Sequence, residues 1–345
     1  MTAHDTLYPS ITNKPDDIAY HLSRSLTPHS GPLALIGTVK LHGTHGDIVI
    51  TAPSTITFQS RNQLSLTPGL KTDNVKFAES MLSHREAILA LSRRYTEHYR
   101  TLHPGAEIDT TRPVVLAGEW IGLGIQTGVG ISSLPRAFVI CSVAINGVWL
   151  SDASFSGVEF EAPEARIFHI SRGGFYHATI KFDDLEGSMQ RLRSTTDAVC
   201  EECPFAKAFG ASGIGEGIVW KAVHDPGNPR LWLKTKGPAF QPKPVKVKQA
   251  QAKALSEQEA VASRFAEEVA HERRMEQGLE VLRERNEPVS SRAAKMFAEW
   301  VLGDVIKEDW REVREGKVSA KDAEKFVRRL AFAWFREELE RRKEG

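Results

Sequence analysis

The residues best suited to chemistry in this chain are charged side chains set where strand-like runs meet glycines. Lys40 ends the run ALIGTVK and is followed at once by Leu41, His42 and Gly43. A lysine there is either a solvated edge charge that discourages sheet aggregation, or a nucleophile at the mouth of a pocket. Lys40 alone does not decide between them. Glu119 stands at the end of PVVLAGEW, just before glycines that would let a ligand approach the backbone, and otherwise reads as a surface carboxylate. Glu216 lies between Gly215 and Gly217. Lys234 and Lys236, two apart in RLWLKTK, project from one strand face and repel unless an anion lies between them. Cys200 and Cys203 form a CxxC, but no second ligand pair follows at zinc spacing.

The surrounding sequence must hold these groups in place. Strand-like runs cover ALIGTVK, DIVIT, STITFQS, PVVLAGEW, RAFVICSVAI, GEGIVWKAV and RLWLKTK. Between the third and fourth, residues 74–102 predict one amphipathic helix, with Phe77, Met81, Leu82, Ile88, Leu89 and Tyr95 at helical spacing. Short strands divided by Gly, Pro and Asn turns point to antiparallel sheets rather than βαβ units, hence an α+β fold. The segment KGPAFQPKPVKVKQAQAK has three prolines, alternating lysines and no apolar period, and reads as a linker. Domains are therefore expected over 1–240 and 254–345, joined by 241–253. The second reads as all-helical: residues 254–286, a segment capped by Ser290 or Ser291, and residues 319–342 with Phe326, Leu330, Trp334 and Phe335 on one side. Its mixed acids and bases read as solvated faces of a small bundle; the alternative is a basic module that docks on a polyanion.

Composition sets outer limits. The 345 residues are 41% hydrophobic and 26% charged with a formal net charge of +1, as in an ordinary globular protein. That charge argues neither for nor against nucleic acid. Three cysteines exclude a disulfide framework. With no secretory start and no apolar run of about 18 residues, a soluble, intracellular protein without membrane association is expected. GEWIGLGIQTGVG does not match GxGxxG, and no phosphate loop ending in GKT or GKS occurs.

Taken in order, these stretches resemble the motifs of the covalent nucleotidyltransferases, the superfamily of ATP-dependent ligases and capping enzymes. The matching residues are KLHG (Lys40 to Gly43), SR (Ser60, Arg61), GEWIG (Gly118 to Gly122), FVICSVAI (Phe138 to Ile145), EGIV (Glu216 to Val219) and LKTK (Leu233 to Lys236). The resemblance covers about the first 240 residues. Within the superfamily, KLHGTHG and GEWIGLGIQ look like the RNA ligase 2 family. DNA ligases and capping enzymes place an aspartate where this chain has His42. The opening YPSITN (Tyr8 to Asn13) is similar to that family's N-terminal strand.

The resemblance implies an adenylyltransferase domain over 1–240 with a helical domain behind it. It implies ATP with Mg²⁺ or Mn²⁺, and RNA carrying 5′-phosphate and 3′-hydroxyl ends, with a polynucleotide end-healing enzyme as a candidate partner. A monomer is expected. Lys40 would be the residue that becomes adenylylated, with Gly43 beside it. Arg61 and Glu119 would contact the ribose and the reactive phosphate or RNA end. Glu216 would orient the metal, Lys234 and Lys236 would neutralise phosphate charge, and His42 would act after lysine adenylylation. Attack needs a neutral amine, whereas an unperturbed lysine titrates near ~10.4; neighbouring cations would favour the neutral form. At the positions of the family's adenine-stacking aromatic and following aspartate stand Cys141 and Ser142, so Phe138 or Trp120 would have to supply the ring. A DNA ligase or capping-type enzyme, and a non-catalytic RNA-binding scaffold on the same fold, are the alternatives.

Overall fold

The computed structural model describes residues 8–24, 31–52, 54–241, 245 and 256–344, with side chains through Arg342. The chain divides into two compact units, Met1–Phe240 and Gln241–Gly345. Of the linker expected over 241–253, only Gln241 and Val245 fall among the described residues.

The first unit begins with α1 (Pro15–Ser23), β1 (Leu33–Lys40), β2 (Thr44–Thr51) and β3 (Thr55–Ser60). Next come α2 (Phe77–Leu82), α3 (Arg85–Leu102), β4 (Val114–Ile121), β5 (Ala137–Ile145), β6 (Val148–Trp149), β7 (Ile167–His169) and β8 (Tyr176–Ile180). It ends with α4 (Leu185–Glu201), α5 (Pro204–Lys207), β9 (Gly217–Ala222) and β10 (Trp232–Lys236). Two sheets result, one ordered β10-β9-β1-β8 and one β3-β2-β4-β5-β6. All pairs on these paths are antiparallel; β7 joins β5 in parallel. The fold is α+β, as expected.

Strand alternation gives each sheet two distinct faces. On the first sheet, Leu35 and Val39 of β1, Ile218 and Trp220 of β9 and Leu233 of β10 bury against Ile18 and Leu22 of α1 and Leu192 and Val199 of α4. On the second, Ile48, Leu116, Phe138 and Ile140 bury against Phe77 and Met81 of α2 and Ile88, Leu91 and Tyr95 of α3. Helices thus cover one face of each sheet. The opposite faces approach one another, since Lys221 of β9 donates to Ser142 Oγ of β5 at 2.6 Å. Those inward faces carry Lys40, Lys221, Lys234 and Lys236 from one sheet and His45, Asp47 and Glu119 from the other.

The predicted helix over 74–102 is two helices. Asn74, Val75 and Lys76 all have positive φ, so α2 starts only at Phe77, and α3 begins afresh after His84. YPSITN forms a single parallel bridge, Thr12 to Leu233, rather than a strand. Periodicity does not mark α1, β8 and α4, whose buried positions are few and mixed with polar residues, nor β7, which is only three residues long.

The second unit is all-helical, with α6 (Glu257–Val269), α7 (Glu272–Glu284), α8 (Ala294–Glu308), α9 (Arg311–Arg314) and α10 (Ala320–Glu344). Residues 254–286, read as one segment, break at Ala270, where the His271 side chain caps α7. Phe265, Phe297, Val301, Phe326, Trp334 and Phe335 form its core.

Candidate active site

Lys40 and Lys236 are brought together through one glycine. In register, Lys40 pairs with Gly217, and Gly217 pairs with Lys236. A Cβ at Gly217 would stand 2.0 Å from the Thr235 carbonyl, so only glycine lets β9 run this close to β10. Glu216, one residue earlier, places its carboxylate between the two ammonium groups. Lys40 Nζ donates to Oε2 at 2.9 Å and Lys236 Nζ lies 3.0 Å from Oε1. His42 Nδ1 approaches Oε2 at 3.6 Å. The carboxylate is 2% exposed, whereas the two lysines are about a fifth exposed and reach solvent. Burial alone would raise the Glu216 carboxyl, but Lys40, Lys236 and His42 outweigh it and hold it well below the usual range. The balance is reasonable: each ion pair near 3 Å is worth roughly 5 kcal/mol at an effective dielectric near 20, against several kcal/mol to bury one ion.

The turn after Lys40 is fixed by sterics. A Cβ at Gly43 would stand 2.4 Å from the Trp120 carbonyl, so the backbone passes hard against the end of β4. His42 is held edge-on against Phe240, with ring centroids 5.2 Å apart. Asn74 buttresses the start of β2: its Oδ1 accepts from Thr44 at 2.8 Å and its Nδ2 donates to the His45 carbonyl at 2.9 Å. The adjacent Val75 carbonyl accepts from Trp120 Nε1 and from Arg136, both at 3.2 Å. Three consecutive left-handed residues, one of them β-branched, are costly; here they tie β2 and β4 together behind the site.

Glu119 and Arg61 complete the opposite wall. Burial pushes the Glu119 carboxyl up to about 7, against the pull of Lys40, His45 and Arg61, and Glu216 adds to the rise. Its Oε2 is buried with no hydrogen-bond partner among the described residues. Lys234 shares the strand face of Lys236, and its backbone N–H donates to the Thr12 carbonyl at 2.8 Å.

Phe138 requires a correction. Its neighbour Val139 is the cross-strand partner of Glu119, so Phe138 points to the other side of β5. There it is fully buried, 5.3 Å from the Phe77 ring, and unable to stack on a nucleotide beside Lys40. Trp120 is buried on that same side. The inward face near Cys141 and Ser142 instead holds Tyr8, whose hydroxyl is 3.2 Å from Ser142 Oγ and whose ring lies 4.9 Å from His45.

Other inward residues escaped the sequence reading. Lys221 is buried, bonded to Asp152 at 2.8 Å as well as to Ser142, with its ammonium 4.2 Å from the Trp232 ring centroid. His45 and Asp47 lie on β2 with Nε2 2.9 Å from Oδ1. Their signal was legible: in THGDIVIT two ionisable groups alternate onto one face of a strand that runs on into Ile48, Val49 and Ile50. Cys200 and Cys203 are buried free thiols, and burial raises both. Among the described residues no group of three or more His, Cys, Asp or Glu gathers to hold a metal.

The RNA ligase family model matches residues 34–236, more than half of the chain and every site residue named above except Tyr8, Thr12 and Phe240. The chain belongs to the RNA ligase family. No curated protein matched it. Among solved structures it is similar to Naegleria gruberi RNA ligase: a mutant with AMP and Mn has 13% identity over 68% of this chain and 56% of that one, at a TM-score of 0.39. A mutant of the same ligase with ATP and Mn has 15% identity over 69% and 56%, at a TM-score of 0.37. The chain spans little more than half the length of those structures. Among the described residues no helix is long and apolar enough to cross a membrane.

Proposed function

We propose that this protein is an ATP-dependent RNA ligase that joins 5′-phosphate and 3′-hydroxyl RNA ends through a covalent lysyl-AMP at Lys40. The observation that carries this reading is the buried Glu216 carboxylate bridging Lys40 and Lys236 at 2.9 and 3.0 Å on adjoining strands of one sheet. Both ammonium groups keep partial access to solvent, so a nucleotide phosphate can reach them.

In the first step the neutral Lys40 amine attacks the α-phosphorus of ATP, forming an N–P bond as the bond to pyrophosphate breaks. Lys236 and Lys234 lie on the strand face from which they neutralise charge on the phosphate oxygens. Glu119 and Arg61 face the same space and suit the ribose hydroxyls and the reactive phosphate. A 5′-phosphate oxygen of RNA then displaces Lys40 from AMP, and a 3′-hydroxyl attacks the resulting RNA-adenylate and releases AMP. His42, on the Glu216 side of Lys40, serves these later steps.

The residues fit a divalent ion held chiefly by nucleotide phosphates and water, since Mg²⁺ commonly takes only one or two protein carboxylates. Glu216 would orient it, and the ion would supply further neutralisation of phosphate charge. We assign the nucleotide chemistry to the first unit and RNA engagement to the helical one.

The test separates steps. His42→Ala should still take up label from ATP labelled at the α-phosphate, yet fail to seal nicked RNA. Equal loss of both steps would make His42 a structural member of the pocket. Absence of any covalent label in the wild type would favour the non-catalytic scaffold, and sealing of nicked DNA in preference to RNA would favour the DNA ligase reading.

A further inference from the structure

Behind Lys40, three ionisable groups share one sheet face with no assigned role for two of them. His45 of β2 lies directly opposite Glu119 of β4, and such cross-strand partners sit about 5 Å apart at Cβ. Asp47 projects from the same face two residues further along β2, opposite Ala117. It is fully buried, and neither oxygen makes an aligned hydrogen bond among the described residues. Its close contact is the 2.9 Å ion pair with His45 Nε2. A buried carboxylate beside a single imidazole is tolerable only when that imidazole carries a proton. An anion at this distance favours the imidazolium over the neutral ring, and the register puts that group across from Glu119.

We propose that Asp47 is a positioning residue which, by holding His45 as an imidazolium, keeps Glu119 an acceptor for the incoming nucleotide. The reading rests on the assignment of Glu119 to the nucleotide. An ionised carboxylate only accepts hydrogen bonds, whereas a protonated one donates through its hydroxyl. Glu119 Oε2, buried and without a partner, is an acceptor that ribose hydroxyls would satisfy.

The electrostatics agree. Burial drags the His45 imidazole down, but the Asp47 charge and contact, with Glu119, raise it above its ordinary value despite Arg61. Glu119 near 7 is poised at the edge of ionisation, so losing one cation would tip it. The groups facing Glu119 are Lys40 from β1, His45 from β2, Arg61 after β3 and Glu216 before β9, with the Cys141 thiol on β5 nearby. Tyr8 covers the Asp47 and His45 side, and its own hydroxyl is raised by burial first and by Cys141 next.

Asp47→Asn removes the anion and keeps the shape. Followed by NMR on the full chain, the His45 ring should titrate lower by about one unit than in the wild type. ATP affinity, measured by calorimetry between pH 6 and 9, should fall about tenfold at the acid end and converge on the wild type at the alkaline end. His45→Gln, whose amide can still donate to Asp47, should reproduce the ATP profile and guards against misfolding of the first variant. In a Glu119→Gln background, Asp47→Asn should no longer change the pH dependence. An unchanged His45 titration, or variant and wild-type ATP profiles that run parallel, overturns the proposal. A chain that binds ATP with the expected pH dependence but forms no covalent adduct overturns the ligase reading and leaves this one standing.

Discussion

Arg274 of the helical unit and Glu119 of the first unit are buried charges handled in opposite ways. In the helical unit, Arg274 is 2% exposed, and its guanidinium is spent on Asp304 at 2.8 Å, Asp309 at 2.8 Å, Glu308 at 3.4 Å and the Val269 carbonyl. Burial would lower it, but the three carboxylates raise it above its ordinary value. In the first unit, Glu119 faces Lys40, His45 and Arg61 and Asp47 faces His45, yet both keep oxygens that no hydrogen bond satisfies. Arg274 is architecture, because its interactions are realised with groups of its own helical unit. A buried charge with unfilled valence stores unfavourable energy that a ligand can release.

The sharpest break in that comparison is Arg274→Ala. It strands three carboxylates and should cost about 3–5 kcal/mol, the range for removing one partner of a buried ion cluster. Thermal unfolding followed by circular dichroism measures it, and label formation by the first unit should persist below that transition. Next in size, a chain ending near residue 245 should still form the AMP adduct but lose sealing of RNA ends; a folded truncation that seals as fast as the full chain would end the division of labour.

Glu119→Gln should act in the opposite sense to Arg274→Ala. Because burial raises this carboxyl to about 7, the folded state holds its proton more tightly than the unfolded chain, whose Glu titrates near 4.5. Stability from this group is thus fully present at low pH and is lost as pH rises through 7. The variant should therefore melt higher than the wild type at pH 8, with the gap closing near pH 5, while ATP labelling weakens. Equal melting at both values would mean that Glu119 is not strained.

The smallest effects belong to the basic surface of α10. Arg328, Arg341 and Arg342 are engaged with Glu299, Glu324 and Glu338. Exposed pairs of this kind contribute about 0–1 kcal/mol. Arg342→Ala should leave melting nearly unchanged, and RNA binding measured against salt will show whether it also contacts phosphate.

The strands carrying Lys40, Glu119 and Lys234 to Lys236 were legible because each ends an apolar run at a glycine or a charge. Their convergence was not, since the meeting of Lys40 and Lys236 depends on both pairing across Gly217, a register that periodicity does not encode. Phe138 was misread for a related reason. Parity along β5 sets its face, and the register shift between Ala117 and Gly118 is invisible in sequence. The break before α2 was hidden too, because Asn74 to Lys76 adopt left-handed backbone that their residue types, Asn apart, disfavour.

The most direct measurement is the location of the AMP. After incubation with ATP labelled at the α-phosphate and a divalent metal, denatured protein is digested and the modified peptide sequenced by mass spectrometry. The account predicts one adduct, on Lys40, absent from Lys40→Ala and from Lys40→Arg, because arginine keeps the charge but supplies no neutral amine. An adduct on Lys234 or Lys236, or undiminished labelling of either variant, would contradict it.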